Sequence, residues 1–243
     1  MENLFVKRIK GNGNPLLLFH GWGKNHRDLE PLGKLLSNFY DVYLFDLPGF
    51  GQSERPAEPW GTDQYANRID TWIRENKLAD LTLFGHSFGG KIAMHLAVKR
   101  GDIVDKLVLM GSAGLKRKRG FSGGIRFIFI ALLRFFVKSC SKKWYENWFI
   151  SQFGSADYKA AGEMRPILVK SVREELSDLA EKISCETILI WGENDQETPL
   201  ECGQRLAKLI PNNTLIALPG KGHHPHADSG DQLIATLIKE RVV

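Results

Sequence analysis

Six short apolar runs, each about four residues long and nearly continuous in hydrophobicity, recur along the chain: LLLF at 16–19, VYLF at 42–45, LTLF at 81–84, LVLM at 107–110, ILIW at 188–191 and LIAL at 215–218. A strand with one wet face alternates polar and apolar residues, whereas a run without alternation must be buried on both faces. Segments of helical period separate the runs, near residues 28–38, 64–76, 89–100, 200–209 and 230–241. Strand and helix in alternation specify an α/β fold, a mostly parallel sheet with helices on both faces. Residues 5–9 are expected to add an antiparallel strand at the start.

One connection breaks this rhythm. The stretch between Met110 and Thr187 far exceeds the roughly 30 residues of a complete βαβ unit. It is rich in aromatic and basic residues, with eleven Lys or Arg against three Asp or Glu between residues 112 and 165, in a chain of net charge +5. The surplus is expected to form an inserted helical cap over residues 112–182, with residues 1–111 and 183–243 as the core. Its charge is either a solvated face or an attractor for an anionic partner.

Composition narrows the class further. A chain of 243 residues, 43% hydrophobic and 25% charged, reads as globular, with one large domain or two small ones. Three scattered cysteines (Cys140, Cys185, Cys202) make no disulfide framework and suit a reducing, cytoplasmic setting. The first ten residues contain no apolar signal-peptide core. Within the run IRFIFIALLRFFV at 125–137, Arg126 and Arg134 bracket only seven uninterrupted apolar residues, and a spanning helix needs about 20. No transmembrane segment and no nucleic-acid partner are therefore expected.

The strongest chemical signal is GHSFGG at 85–90, a G-x-S-x-G pattern that follows an apolar run and opens a helical segment. That context calls for a tight strand-to-helix turn that exposes Ser87 in a strained backbone conformation, with Gly85 and Gly89 avoiding collisions. Ser87 would stand at a helix N-terminus, where free N–H groups favour a developing anion. A serine hydroxyl is a poor nucleophile until a base takes its proton.

Seven histidines compete for that role. His20 and His86 lie in glycine-flanked turns and shape loops. His26 and His95 carry no motif. His223, His224 and His226 lie just after the last strand, on the rim where carboxyl ends of parallel strands emerge. His223, directly after Gly222, is the expected base, with His224 as the alternative. As a metal set, His223, His224 and His226 lack a Cys or carboxylate to complete them, and no metal ligand is assigned. Asp195, in WGEND after the run at 188–191, is the expected carboxylate that orients the base, with Glu193 as local competitor; the chain order Ser, Asp, His suits this architecture. Two backbone donors are expected to face the oxyanion, the N–H of Phe88 and the N–H of Trp22 within HGWG at 20–23. The side chains of Trp22 and Phe88 would line the substrate pocket. DLPGFGQS at 46–53 is given a structural role in supporting the rim.

Taken together, HGWG, DLPGFGQS, GHSFGG, WGENDQETP at 191–199 and GKGH at 220–223 resemble the α/β-hydrolase superfamily, and the chain looks most like its serine carboxylesterases. HGWG and DLPGFG are similar to bacterial carboxylesterases that include the pimeloyl-carrier-protein methyl ester esterase. The resemblance implies a nucleophile Ser87, acid Asp195, base His223 and oxyanion donors Trp22 and Phe88. It also implies no metal or organic cofactor, a small-molecule ester as substrate, and an acidic acyl carrier protein as partner of the basic cap. The serine argues against haloalkane dehalogenases and epoxide hydrolases, which use an aspartate there. His86 stands where C–C bond hydrolases of ring-cleavage products often have asparagine. The expected activity is hydrolysis of carboxylic esters with short to medium acyl chains through an acyl-enzyme. The alternatives are C–C bond hydrolysis of diketones, or ligand binding without catalysis.

Overall fold

The computed structural model describes residues 3–116, 156–227 and 230–239. Seven strands form one sheet: β1 (Val6–Ile9), β2 (Pro15–Phe19), β3 (Asp41–Phe45), β4 (Leu81–His86), β5 (Val104–Met110), β6 (Glu186–Gly192) and β7 (Asn213–Leu218). Their order is β1-β3-β2-β4-β5-β6-β7, with β1 antiparallel to β3 and all other pairs parallel. All six apolar runs thus lie within strands, and the expected antiparallel start at 5–9 forms one from Val6 to Ile9.

Successive side chains of a strand point to opposite faces, and both faces here are dry. Leu17 and Phe19 of β2 join one apolar cluster, and Leu16 and Leu18 the other, all 0–1% exposed. The second cluster is closed by α1 (His26–Leu36), through Leu29, Leu32 and Leu36, and by the C-terminal helix Gly230–Lys239, through Ile234 and Ile238. The first is closed by α2 (Thr62–Glu75), α3 (Phe88–Lys99) and the helix Leu200–Leu209. Each fully buried Leu, Ile or Phe contributes roughly 1.5–3 kcal/mol, so the unbroken apolar runs are what hold the three layers together. Asn25 starts α1 by accepting the Arg27 N–H at 3.0 Å, satisfying an otherwise unpaired first-turn donor.

Within the expected cap, the described residues form α4 (Ala156–Ala160), a single 3₁₀ turn (Gly162–Met164), α5 (Arg165–Arg173) and α6 (Ser177–Ala180). The later helices, Leu200–Leu209 and Gly230–Lys239, are α7 and α8. Met164, Ile167, Leu176 and Ala180 enter the same apolar cluster as α2 and α3. A buried ion pair adds to that seam: Lys91 Nζ of α3 lies 3.0 Å from Glu174 Oε2, and Glu174 also accepts from Thr62 N (2.9 Å) and Thr62 Oγ1 (2.7 Å). The basic aromatic stretch, including Arg117, Lys118, Arg119 and the run at 125–137, lies outside the described residues. Among the described residues no helix is long and apolar enough to cross a membrane.

Register brings the strand exits level. Phe19 pairs with Gly85, His86 with Met110, Met110 with Ile190, and Gly192 with Leu218. The loops that carry residues 20–23, 87, 111, 195 and 223 therefore leave the sheet along one rim.

Candidate active site

Ser87 ends β4 and begins α3 with φ 50° and ψ −110°, a left-handed conformation that a residue with a side chain seldom adopts. Such strain costs about 1–3 kcal/mol and persists only where the surroundings enforce it. Here the Ser87 N–H donates to Met110 O at 3.1 Å, and its carbonyl accepts from Gly90 N and Ala113 N, both at 3.1 Å. The flanking glycines are steric necessities. A Cβ on Gly85 would stand 2.5 Å from Gly90 Cα, and one on Gly89 would stand 2.3 Å from Phe19 O.

Asp195 and His223 meet at the same rim, with His223 Nδ1 2.8 Å from Asp195 Oδ2. The other Asp195 oxygen, Oδ1, accepts the N–H groups of Glu197 and Thr198, both at 2.8 Å. Thr198 Oγ1 lies 2.9 Å from Asp195 Oδ2, 2.9 Å from Gly111 O and 3.2 Å from His223 Nδ1. Burial pushes the Asp195 carboxyl up, but the His223 hydrogen bond and the Thr198 donors outweigh it and hold it below the ordinary aspartate value. Glu193 takes no part in this arrangement; its N–H donates to Leu218 O at 3.1 Å.

The second ring nitrogen, His223 Nε2, lies 3.5 Å from Glu197 Oε2, whose side chain is 60% exposed. Among the described residues no hydrogen bond joins Ser87 Oγ to His223. The two are tied through His86, whose Nε2 donates to His223 O at 2.8 Å and whose ring centroid is 5.0 Å from that of His223. A carbonyl can only accept, so His86 carries its proton on Nε2. Full burial first, then the facing His226 and His223 rings, keeps the His86 pKa well below the ordinary histidine value.

Trp22 and Phe88 are neighbours, with ring centroids 5.3 Å apart in edge-to-face contact. Trp22 is half-buried, whereas the Phe88 ring is 4% exposed and packs on Tyr65 and Phe50 as well. Among the described residues, neither the Trp22 nor the Phe88 N–H donates a backbone hydrogen bond. Phe50, given only a supporting role from the sequence, contacts the Trp22 ring at 5.0 Å. The rest of its motif is structural: Asp46 Oδ1 accepts the His26 N–H at 2.6 Å and lies 2.8 Å from His26 Nδ1, while Oδ2 accepts the Gln52 N–H. His20 shapes the first loop, with Nδ1 donating to Gly21 O at 2.7 Å and Nε2 accepting the Leu47 N–H at 3.0 Å.

The sequence pattern assigns no metal ligand in the histidine loop, and the structure groups its rings differently from their spacing. The ring nitrogens that converge belong to His86, His224 and His226, not to His223. No local motif could have revealed this, because His86 is far away in the chain. Thr198 and Glu197 were missed for a related reason: a threonine and a glutamate in a turn carry no signal until the turn folds back on Asp195.

The chain is 28% identical over 239 residues to the uncharacterized hydrolase YugF of Bacillus subtilis (strain 168), spanning 91% of this chain and 88% of that protein. Among solved structures it is similar to the esterase EaEST from Exiguobacterium antarcticum, with TM-score 0.75 and 24% identity over 98% of this chain and 95% of that one. It is also similar to a meta-cleavage product hydrolase (CumD) from Pseudomonas fluorescens IP01, with TM-score 0.70 and 22% identity over 99% of this chain and 95% of that one. A family profile described as alpha/beta hydrolase fold matches residues 14–136, from β2 through the strained serine and beyond β5. With the sheet order and the serine turn already in hand, that match settles the family: this chain belongs to the alpha/beta hydrolase fold family.

Proposed function

We propose that the protein is a serine hydrolase that cleaves carboxylic esters with short to medium acyl chains. The observation that carries this reading is the strained Ser87 turn at the same rim as the buried Asp195–His223 pair. In the proposed reaction the Glu197 side chain swings aside, and His223 Nε2 takes the Ser87 proton as Oγ attacks the ester carbonyl. Asp195 fixes the ring tautomer and stabilises the imidazolium. The Phe88 and Trp22 amides receive the oxyanion. Collapse of the tetrahedral intermediate expels the alcohol, protonated by His223. Water, deprotonated by His223, then attacks the acyl-enzyme; the bond to Ser87 Oγ breaks, His223 returns its proton to that oxygen, and the free acid is released.

The half-buried Trp22 and Phe50 rings supply apolar surface beside Ser87 for an acyl chain. The likeness to CumD reaches the fold alone, and among the described residues no contact in this site favours a diketone over an ester. The carrier-protein partner rested on a basic stretch that lies outside the described residues and forms no part of this proposal.

The deciding measurement is hydrolysis of p-nitrophenyl butyrate by wild type and Ser87→Ala, beside a ring-fission diketone. The expected result is ester turnover that falls by a factor on the order of 10³ or more in the variant. Equal turnover by both proteins defeats the proposal, and diketone turnover without ester turnover replaces it with C–C hydrolysis.

A further inference from the structure

Behind the Asp195–His223 pair lies a second histidine cluster that the proposed hydrolysis leaves unused. One ring nitrogen from each of His86, His224 and His226 lies within 4.8 Å of the others. His86 is 0% exposed and His226 4% exposed, and the Nδ1 of each is buried without a hydrogen-bond partner among the described residues. The opposite nitrogens are engaged. His86 Nε2 donates to His223 O at 2.8 Å, and His226 Nε2 lies at ion-pair distance, 3.3 Å, from Asp28 Oδ2, an oxygen that has no hydrogen-bond partner of its own among the described residues. The carbonyl calls for an N–H and leaves His86 Nδ1 with a bare lone pair, and the nearby Asp28 carboxylate favours the same tautomer in His226. Unpartnered nitrogens on two buried rings, in a group of three imidazoles whose ring nitrogens come within 4.8 Å of one another, make a candidate ligand set.

We propose that His86, His224 and His226 form a binding site for one divalent transition-metal ion of borderline softness, of which zinc is the type. Three neutral imidazoles suit Zn²⁺, Cu²⁺ or Ni²⁺ and offer nothing to Mg²⁺ or Ca²⁺, which require oxygen. The outer contacts are those that metal-binding histidines use, with the second ring nitrogen held by a backbone carbonyl or a carboxylate. Zn–N bonds of about 2.0–2.1 Å in a tetrahedral set put the nitrogens about 3.4 Å apart, so the half-buried His224 ring swings inward to close the site. Gly21 leaves the His86 Nδ1 lone pair open, since a Cβ there would stand 2.9 Å from that nitrogen. Because His86 also holds the His223 carbonyl, a bound ion would fix the loop that carries the proposed base.

The test uses the untagged full chain, stripped with a chelator and dialysed. Co²⁺ is titrated while its visible d–d absorption is followed, and Zn²⁺ affinity is read by competition with a chromogenic chelator. The expected result is one ion per chain, with affinity at least roughly tenfold weaker in His224→Ala and in His226→Asn. His95→Gln, outside the cluster, binds as wild type. His224→Ala removes a half-buried ring, and its circular dichroism and melting curve establish that it is folded. Substoichiometric binding by wild type, or equal affinity in wild type and His224→Ala, overturns the site and assigns the two lone pairs to a shared water. Binding, not turnover, is the readout, so either result leaves the esterase proposal to its own test.

Discussion

His223 lies between two carboxylates that are far from equivalent. Asp195 Oδ2 is 2.8 Å from Nδ1 with its side chain wholly buried, whereas Glu197 Oε2 is 3.5 Å from Nε2 with its side chain 60% exposed. Burial without water screening strengthens the first contact, and solvent weakens the second. Asp195→Asn should cut kcat for p-nitrophenyl butyrate by about 10³–10⁴, because an amide favours the wrong imidazole tautomer. Glu197→Gln should change it by less than about fivefold, the span of an exposed ion pair worth at most about 1 kcal/mol. Steady-state kinetics on both variants decides, and comparable losses would contradict the division of roles.

Thr198 acts through Asp195. Its hydroxyl lies 2.9 Å from Asp195 Oδ2 and 2.9 Å from Gly111 O, so its single proton serves one acceptor at a time. Asp195 Oδ1 keeps its two backbone donors whatever residue 198 is. Thr198→Val should therefore lower kcat roughly 3- to 30-fold, equivalent to part of a hydrogen bond to a charged group, with KM little changed. Thr198→Ser should recover most of the loss. A KM effect with kcat intact would mean that the hydroxyl serves the substrate instead.

The Lys91–Glu174 pair should matter for stability. Lys91 is 3% exposed, and burial pulls its pKa below the ordinary lysine value while Glu174 opposes this. Removing one partner of a buried pair typically costs about 3–5 kcal/mol. The partial exposure of Glu174 and the acceptor retained by glutamine bring Glu174→Gln to about 2–3 kcal/mol. For a chain of this size that lowers Tm by roughly 5–10 °C. Arg55 and Glu163 pair at 3.2 Å but are 49% and 80% exposed, so Glu163→Gln should shift Tm by no more than about 2 °C. Calorimetry showing equal shifts would refute the contrast.

Acid should destabilise the fold through a histidine that remains neutral. His20 is fully buried, and burial lowers its pKa from 6.5 to about 4 against the opposing pull of the Gly21 carbonyl. Between those values the unfolded chain binds a proton that the native state refuses, so stability rises with pH across this window and falls as pH drops from 6.5 toward 4. Burial away from water is the main cause, and a proton arriving at Nε2 would also displace the Leu47 N–H that this nitrogen accepts. Urea melts should show a loss on the order of 2–3 kcal/mol over the window from this residue. His20→Gln should be less stable at pH 7 but flatter between pH 6.5 and 4; an unchanged slope would mean that His20 is not the source.

Hydrophobic patterning alone determined the layers of this protein. Four consecutive apolar residues cannot keep one face in water, so LLLF, LVLM and ILIW had to become strands covered on both sides, and the glycines of GHSFGG had to turn tightly around Ser87. Sequence order also set which loops share the rim, since carboxyl ends of parallel strands emerge together. The tertiary structure alone decided what meets at that rim. Thr198 reaches Asp195 only because its turn folds back, Glu197 stands before His223 Nε2, and His86 bonds the backbone of a residue on a distant loop. Such contacts depend on distances of a few ångströms between segments far apart in the chain, and a one-dimensional pattern carries no distances. For the same reason the histidines whose ring nitrogens come together are not three neighbours in sequence but His86, His224 and His226.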